Sequence, residues 1–227
     1  MALILQIETA TQVCSAALSQ NGKTVAVKEL QANNIHAGSL TLFIQDVMSV
    51  AGMSYSQLDA ISVSKGPGSY TGLRIGVSTA KGLCFALDKP LIAIPTLNMM
   101  AKGFLKAYPD FGGLVCPMID ARRMEVFTAL FDSTLSTIED VSAKIIDEHS
   151  YVDQLDHNKI MFLGDGAEKC AVAIQHPNAL FNAENYNSAS NMTELSYEAF
   201  QNANFEDLAY FEPFYLKDFV LTTPKAK

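Results

Sequence analysis

One segment of the sequence joins a short strand to a helix: Ser64-Lys65-Gly66-Pro67-Gly68-Ser69-Tyr70-Thr71-Gly72-Leu73-Arg74-Ile75-Gly76. Residues 60–64 are typical of a buried strand, and helical spacing of apolar residues runs from 71 to 86. Backbone amides at such a helix start can hold an anion, helped by the helix dipole. The segment lacks the Gly-Lys-Ser/Thr ending of a P-loop, so Gly-Pro-Gly alone favours a tight turn that Ser69 or Thr71 caps.

On either side of this segment, the N-terminal part of the sequence alternates strand and helix signals. Strands are predicted at residues 3–8, 13–18, 24–29 and 90–94, with a hairpin turn at Asn21-Gly22. Apolar residues at helical spacing predict helices over 39–51, closed by Gly52, and over 96–105. The order β-β-β-α-β-α-β-α is that of a ribonuclease-H-like lobe, the building block of actin-like ATPases.

A boundary is predicted at residues 108–113, which are rich in Pro and Gly. Beyond it, strands are expected at 114–119, 125–131 and 160–163, and a helix at 167–175. The second part therefore starts like the first and is more irregular. We expect an α/β protein of the actin-like ATPase (ASKHA) fold with mixed sheets, its two ribonuclease-H-like lobes being residues 1–106 and 107–227. The last segment is expected to return to the first lobe.

The composition limits the kind of protein. Of 227 residues, 49 % are apolar, and 16 Lys and Arg stand against 24 Asp and Glu, a formal net charge of −8. These values exclude intrinsic disorder and a disulfide-knot miniprotein, and they argue against a large basic surface for nucleic acid. No export signal or membrane-length apolar run is evident, so we expect a cytoplasmic protein that uses no membrane. The scattered cysteines are expected to be buried free thiols without a metal: Cys14, Cys84, Cys116 and Cys170.

Small residues recur every fourth position in the helix over 71–86, at Gly72, Gly76 and Ala80. Each helical glycine costs about 1 kcal/mol relative to alanine, so a pair of them indicates close approach of another backbone. The approaching element can belong to the same lobe or to another subunit. The sequence leaves both alternatives open.

Five motifs in this order resemble the TsaB (YeaZ) family and cover most of the chain. They are Ile4-Leu5-Gln6-Ile7-Glu8-Thr9, the run from Gly66 to Gly76, Asp120-Ala121-Arg122-Arg123-x-Glu125-Val126-Phe127, Gly164-Asp165-Gly166 and Pro213-x-Tyr215-Leu216-Lys217. The resemblance implies the actin-like fold and a part in making N6-threonylcarbamoyladenosine, beside the anticodon of tRNAs that read codons beginning with A. It implies a non-catalytic scaffold that binds the catalytic paralogue TsaD through N-lobe helices, with the ATPase TsaE joining the pair.

The same resemblance sets the expected partners and cofactors. The chain is expected to form a homodimer when alone and to meet tRNA only through the complex. No cofactor is required, and ADP or ATP is expected, if anywhere, at an interface of the complex. The expected interface lies on the helices over 39–51 and 71–86, and its residues are Leu42, Phe43, Gly72, Leu73, Gly76, Val77 and Ala80. Gly76→Leu or Val77→Asp is expected to leave the monomer folded and to abolish partner binding.

One histidine argues against catalysis. The catalytic paralogue resembles this fold but holds a metal through a His-x-x-x-His pair, because histidines four apart share one helical face. In this chain His36 is followed four positions later by Leu40, so the second ligand is missing. We therefore predict no metal site and no catalytic residues.

The alternative is an enzyme that hydrolyses a nucleotide or transfers a carbamoyl or phosphoryl group. It would place Glu8, Gly66, Gly68 and Ser69, with Gly164-Asp165-Gly166, around one nucleotide in the cleft between the lobes. Glu8 stands where the family usually has aspartate, and it can instead cap the turn at residues 9–11. Arg122 and Arg123 can meet phosphate or form a turn stapled by Asp120 and Glu125.

Two further positions depart from the family's pattern. Ala37-Gly38 stands where the family often has Ser-Glu, and Lys217 stands where an arginine is usual. Lysine cannot reproduce a bidentate guanidinium contact, so any pairing at this position is weaker or different.

Overall fold

Two five-stranded mixed sheets carry the fold in the computed structural model, which describes residues 1–32, 35–184 and 186–217. The first sheet has the order β3-β2-β1-β4-β5. Its strands are β1 (Leu3–Glu8), β2 (Val13–Gln20), β3 (Lys23–Gln31), β4 (Ala60–Gly66) and β5 (Leu91–Pro95). β1, β2 and β3 form an antiparallel meander, and β4 and β5 continue it in parallel on the other side of β1. Asn21 and Gly22 both have positive φ, as a tight hairpin turn requires.

Three helices accompany this sheet: α1 (His36–Val50), α2 (Tyr70–Leu87) and α3 (Thr96–Ala107). α1 and α2 cover one face, where Leu40, Ile44, Val77 and Cys84 join the buried core with alternate residues of β1, β2 and β4. α3 lies on the opposite face, between the two sheets. The predicted order of strands and helices in this half is confirmed.

The second sheet repeats the topology of the first, in the order β10-β9-β6-β7-β8. Its strands are β6 (Leu114–Asp120), β7 (Glu125–Phe131), β8 (Thr137–Ile145), β9 (Ile160–Leu163) and β10 (Ala179–Asn182). β6 to β8 form the antiparallel meander, and β9 and β10 extend it in parallel. This duplication confirms the actin-like architecture expected from the sequence.

The helices of the second half are short: α4 (Val152–His157), α5 (Ala167–Cys170) and α6 (Thr193–Gln201). The helix predicted over 167–175 is wrong beyond Cys170, because the next residues form a turn in which the Cys170 carbonyl accepts from the amides of Ala173, at 3.0 Å, and Ile174, at 2.9 Å. Four elements of this half were not predicted from the sequence: β8, α4, β10 and α6.

The C-terminal part of the chain returns to the first sheet. The Ser196 hydroxyl of α6 donates to that of Ser62 in β4 at 2.8 Å, and the Glu206 amide bonds to the Leu91 carbonyl of β5 at 2.9 Å. One buried cluster contains residues of both predicted lobes, among them Ile4, Ile92, Phe131 and Met192. The lobe boundary between residues 106 and 107 stays a prediction, and residues 218–227 of the second lobe lie outside the described residues.

The four cysteines are buried and free, as expected. Within the described ranges, no helix has the length and apolar character to cross a membrane.

Candidate functional site

A cleft of about 530 Å³ lies between the two sheets. From the first lobe, the loop after β1 and the first turn of α2 line it, together with His36 at the start of α1. From the second lobe come Asp120, Arg122 and Asp165. The cleft therefore lies between the lobes, where the alternative enzyme would bind its nucleotide.

Gly68 and Ser69 line this cleft, as predicted. The Ser69 hydroxyl caps α2 by accepting from the Gly72 amide at 3.3 Å, while the Ser69 amide donates to the Ala10 carbonyl at 2.6 Å. A Cβ on Gly68 would lie 2.4 Å from that carbonyl oxygen. The Gly-Pro-Gly-Ser turn thus packs tightly on the loop after β1, and its Ser69 amide is already used inside the chain rather than free for an anion.

Glu8 does not line the cleft but lies fully buried behind it. Its Oε1 accepts from the Ala10 amide at 2.6 Å, so the carboxyl group holds the loop after β1, as the capping alternative predicted. Among the described residues, its Oε2 and the Ser64 hydroxyl have no hydrogen-bond partner. Burial raises the pKa of Glu8 from 4.5 to about 7, against the nearby Ser64 hydroxyl and the Ala10 amide, which favour the ionised form.

Gly66, the fourth residue predicted for an anion site, faces away from the cleft. It has a φ of +111°, and a Cβ there would lie 2.6 Å from the Phe214 carbonyl oxygen. The Phe214 amide donates to the Lys65 carbonyl at 2.7 Å, so the C-terminal segment passes over this position. The structure therefore brings Gly68 and Ser69 to the cleft but neither Glu8 nor Gly66.

The wall from the second lobe is a network of paired charges. Asp120 forms an ion pair with Lys169 and accepts from the Arg122 amide at 2.8 Å, and Asp165 accepts from the Asp120 amide at 3.0 Å. Burial raises the pKa of Asp165. The expectation of a turn stapled by Asp120 and Glu125 holds for Asp120, whose carboxylate accepts from the Arg122 amide within the turn. The Glu125 carboxylate instead pairs with Lys217 of the C-terminal segment.

His36 is buried and its Nε2 lies 3.1 Å from the Val13 carbonyl oxygen, a contact that orients the ring within the first lobe. Leu40, one turn later, is 1 % exposed and belongs to the core. A leucine side chain has no donor atom for a metal, so this face of α1 offers one imidazole and not a pair.

The predicted partner interface needs correction, because six of its seven residues are buried in the chain: Phe43, Gly72, Leu73, Gly76, Val77 and Ala80. The glycines pack against Thr9, whose hydroxyl donates to the Gly72 carbonyl at 2.8 Å. A Cβ on Gly72 would lie 2.0 Å from the Thr9 carbonyl oxygen, and one on Gly76 would lie 2.2 Å from the Thr9 hydroxyl. The small residues thus serve packing inside the lobe, and Gly76→Leu or Val77→Asp would damage the fold. Leu42 alone of the seven is exposed, at 57 %.

A different row of small residues faces outward on α2. Ser78, Gly82 and Ala86 are exposed, and a Cβ on Gly82 would meet no atom within 4 Å. Phe85 beside them is 84 % exposed. On the neighbouring α1, Gly38 and Leu42 are also exposed. We call Gly38, Leu42, Ser78, Gly82, Phe85 and Ala86 the α1–α2 face. Its signal was present in the sequence, since these residues of α2 lie opposite the apolar row Leu73, Val77, Ala80 and Cys84.

Comparison with known proteins gives a consistent result. A family model described as TsaD, tRNA N6-adenosine threonylcarbamoyltransferase, matches residues 27–227. The tRNA threonylcarbamoyladenosine biosynthesis protein TsaB of Haemophilus influenzae is 29 % identical over 172 residues, which cover 72 % of each chain. TsaB of Escherichia coli is 39 % identical over 127 residues, which cover 56 % of this chain and 53 % of that protein. The second match thus spans about half the length of its relative.

Solved structures extend the similarity to nearly the whole chain. YeaZ from Pseudomonas aeruginosa superposes with a TM-score of 0.84 at 25 % identity, covering 95 % of this chain and 100 % of that one. The activator of the 2-hydroxyisocaproyl-CoA dehydratase from Clostridium difficile, solved with bound ADPNP, gives a TM-score of 0.52 at 9 % identity, covering 89 % and 96 %. The latter likeness concerns the fold alone.

Proposed function

This chain belongs to the family described as TsaD, tRNA N6-adenosine threonylcarbamoyltransferase, in its TsaB (YeaZ) branch, and we propose that it is the scaffold subunit of a threonylcarbamoylating complex. Membership supports a role in the biosynthesis of threonylcarbamoyladenosine in tRNA. The chain binds the catalytic subunit TsaD, and with it the ATPase TsaE, and contributes no catalytic residue. Alone, it pairs with a second copy through the same surface.

The α1–α2 face carries this proposal. Gly82 lies on the solvent-facing side of α2, in the helix interior, where glycine costs about 1 kcal/mol. No contact within the described part of the chain uses its small size. Small residues on both sides of it let a partner helix approach closely, and exposed Leu42 and Phe85 supply apolar area beside them. In an isolated chain, the exposed small residues and the exposed apolar side chains do not stabilise the fold. In an interface between subunits, the small residues allow close helix packing and the apolar side chains become buried.

The residues of the cleft support a non-catalytic role. The position of the second metal-ligating histidine is a core leucine, Leu40, and the strand-end carboxylate Glu8 is buried away from the cleft. The acidic residues Asp120 and Asp165 already bind groups of the second lobe, the Lys169 ammonium and the Asp120 amide respectively. A nucleotide, if bound, therefore contacts this chain at an interface of the complex, and tRNA meets it only through that complex.

Gly82→Leu tests the proposal. The larger side chain enters open space, so the monomer stays folded, but it prevents close approach of a partner helix. Size-exclusion chromatography with light scattering is performed on the chain alone and mixed with TsaD of the same organism. We expect wild type to convert from homodimer to heterodimer and Gly82→Leu to stay monomeric in both samples.

Gly82→Ala is the matched control, because it changes the same position and keeps a small side chain. We expect it to bind TsaD within about threefold of wild type. Undiminished binding by Gly82→Leu would remove the α1–α2 face from the proposal. A wild-type chain that stays apart from TsaD at micromolar concentration would overturn the scaffold role, and metal-dependent ATP turnover by the purified chain alone would establish the enzyme alternative.

A further inference from the structure

A second surface lies in the other lobe, on the free edge of the second sheet. Two adjoining cavities, of about 600 and 530 Å³, share Asp110, Phe111 and Leu180 and together form one groove along β10. Its apolar end is lined by aromatic and aliphatic residues: Phe104, Tyr108, Phe111, Met161 and Leu180. Its polar end holds His157, Asn158 and Lys159. We call this the β10 groove.

The backbone of β10 offers hydrogen-bonding groups at the outer edge of the sheet, beside this groove. The carbonyls of Asn178 and Asn182 accept from the amides of Ile160 and Gly164, so alternate residues of β10 point their backbone groups to β9. Ala179 and Phe181 direct their backbone amides and carbonyls to the outer edge of the sheet. The Ala179 amide donates to the His176 carbonyl. The Ala179 carbonyl and the amide and carbonyl of Phe181 have no backbone partner in the described part of the chain.

The other three sheet edges are protected in ways that β10 is not. β3 carries Lys23 and Lys28, and β8 carries Glu139, Asp140 and Lys144. β5 ends in Pro95 and is bridged by the segment at Glu206. Charges, proline and covering segments are the usual means of preventing strand addition, and the four residues of β10 have neither charge nor proline.

From this edge and its groove we propose that β10 accepts an extended peptide of a partner protein as a sixth strand of the second sheet. Main-chain hydrogen bonds to Ala179 and Phe181 hold the peptide, and its alternate side chains, aromatic or long aliphatic, enter the apolar end beside Tyr108 and Leu180. The polar end holds Lys159, which has no ion pair among the described residues, and one carboxylate, Asp110. An acidic residue of the peptide placed at Lys159 pairs with its ammonium group. The site is separate from the α1–α2 face and does not depend on it.

The test begins with a phage-displayed library of random twelve-residue peptides, selected on the full chain. Enriched peptides are synthesised and their binding is measured by fluorescence anisotropy. We expect alternating apolar residues with an acidic residue near one end. Binding falls at least tenfold on Tyr108→Ala and on Lys159→Glu, and also when alternate backbone nitrogens of the peptide are methylated.

Matched controls are Tyr210→Ala and Lys23→Glu, which alter an exposed tyrosine and an exposed lysine elsewhere and leave the affinity unchanged. Tyr108 and Lys159 are themselves exposed, so their variants keep the fold, which circular dichroism verifies. The proposal is overturned if no peptide is enriched, if the enriched peptides bind both groove variants as tightly as wild type, or if backbone methylation has no effect.

Discussion

Glu8 is a carboxylic acid placed where water does not reach it. One oxygen holds the Ala10 amide, and Ala10 in turn holds Ser69 at the start of α2, so this residue connects the end of β1 with the floor of the cleft. Its second oxygen has no hydrogen-bond partner among the described residues. Ionisation therefore leaves a buried charge that the Ala10 amide and the nearby Ser64 hydroxyl offset only in part, so burial raises the pKa of this group.

The raised pKa of Glu8 predicts a pH-dependent stability. Between the unfolded value of 4.5 and the folded value of about 7, the folded chain binds more protons than the unfolded chain. The contribution of Glu8 to stability is therefore fully present below 4.5 and is lost as pH rises to about 7, amounting to about 3 kcal/mol. Glu8→Gln keeps the acceptor for Ala10 without the charge, so it is expected to be more stable than wild type at pH 8 and similar at pH 4.5.

Urea unfolding of both chains at several pH values measures the difference. Glu8→Asp is the control, because it retains a titrating group but shortens the reach to the Ala10 amide, and it should be less stable than wild type throughout. Equal pH dependence of wild type and Glu8→Gln would show that folding does not raise the pKa of Glu8.

The sequence identified Glu8 as a candidate site residue but did not predict where its side chain lies. A residue at the end of a strand can direct its side chain into the cleft or into the interior behind it. The choice depends on Ser64 of the neighbouring parallel strand and on the bend of the loop at Ala10, both of which are products of the assembled sheet. The same limit applies to Gly66, whose neighbour Phe214 is distant in sequence.

At the scale of the element, α2 has glycines of two kinds. Gly72 and Gly76 face Thr9 at distances that exclude a Cβ, whereas Gly82 faces open space. We expect Gly72→Ala and Gly76→Ala each to destabilise the fold by about 2 kcal/mol or more, because backbone and side chain of Thr9 must move. Gly82→Ala should instead stabilise by up to about 1 kcal/mol through helix propensity. Thermal unfolding of the three variants tests both the predicted destabilisation and the predicted stabilisation. A Gly76→Ala protein as stable as wild type would contradict the packing of Gly76 against Thr9.

Spacing in α2 predicted a small-residue row but not the correct one. Small residues recur every fourth position in two rows of α2, one starting at Gly72 and one at Ser78. The row that faces the core is the one on the same side of the helix as the large apolar residues Leu73 and Val77. The strands and helices of the first lobe were predictable because β-meander and helical periodicities are local. Elements of the second lobe such as β8 and β10 were not, since their residues are exposed or half-buried and show no clear period. β10 in addition pairs with a strand about 19 residues earlier, whereas β8 pairs with the strand directly before it.

At the scale of the whole molecule, the two lobes share one of the three buried apolar clusters found among the described residues. The cluster around α3 combines Ile4 and Ile92 of the first sheet with Val115 and Phe131 of the second. α6 and the segment after it pack on β1 and β5, so the chain leaves the first lobe and returns to it. Residues 1–106 alone would expose this apolar surface to water.

We therefore expect a fragment of residues 1–106 to lack a cooperative unfolding transition. Joining it through a flexible Gly/Ser linker to residues 186–217 should restore cooperativity, with a midpoint below that of the full chain, because α6 covers β1 and β5 again while the second sheet is still missing. Circular dichroism during urea unfolding compares the two fragments with the full chain, and the linker alone on residues 1–106 is the control. Cooperative unfolding of that control at the midpoint of the full chain would mean that the first lobe folds independently, and the returning segment would then serve the surface of the lobe rather than its core.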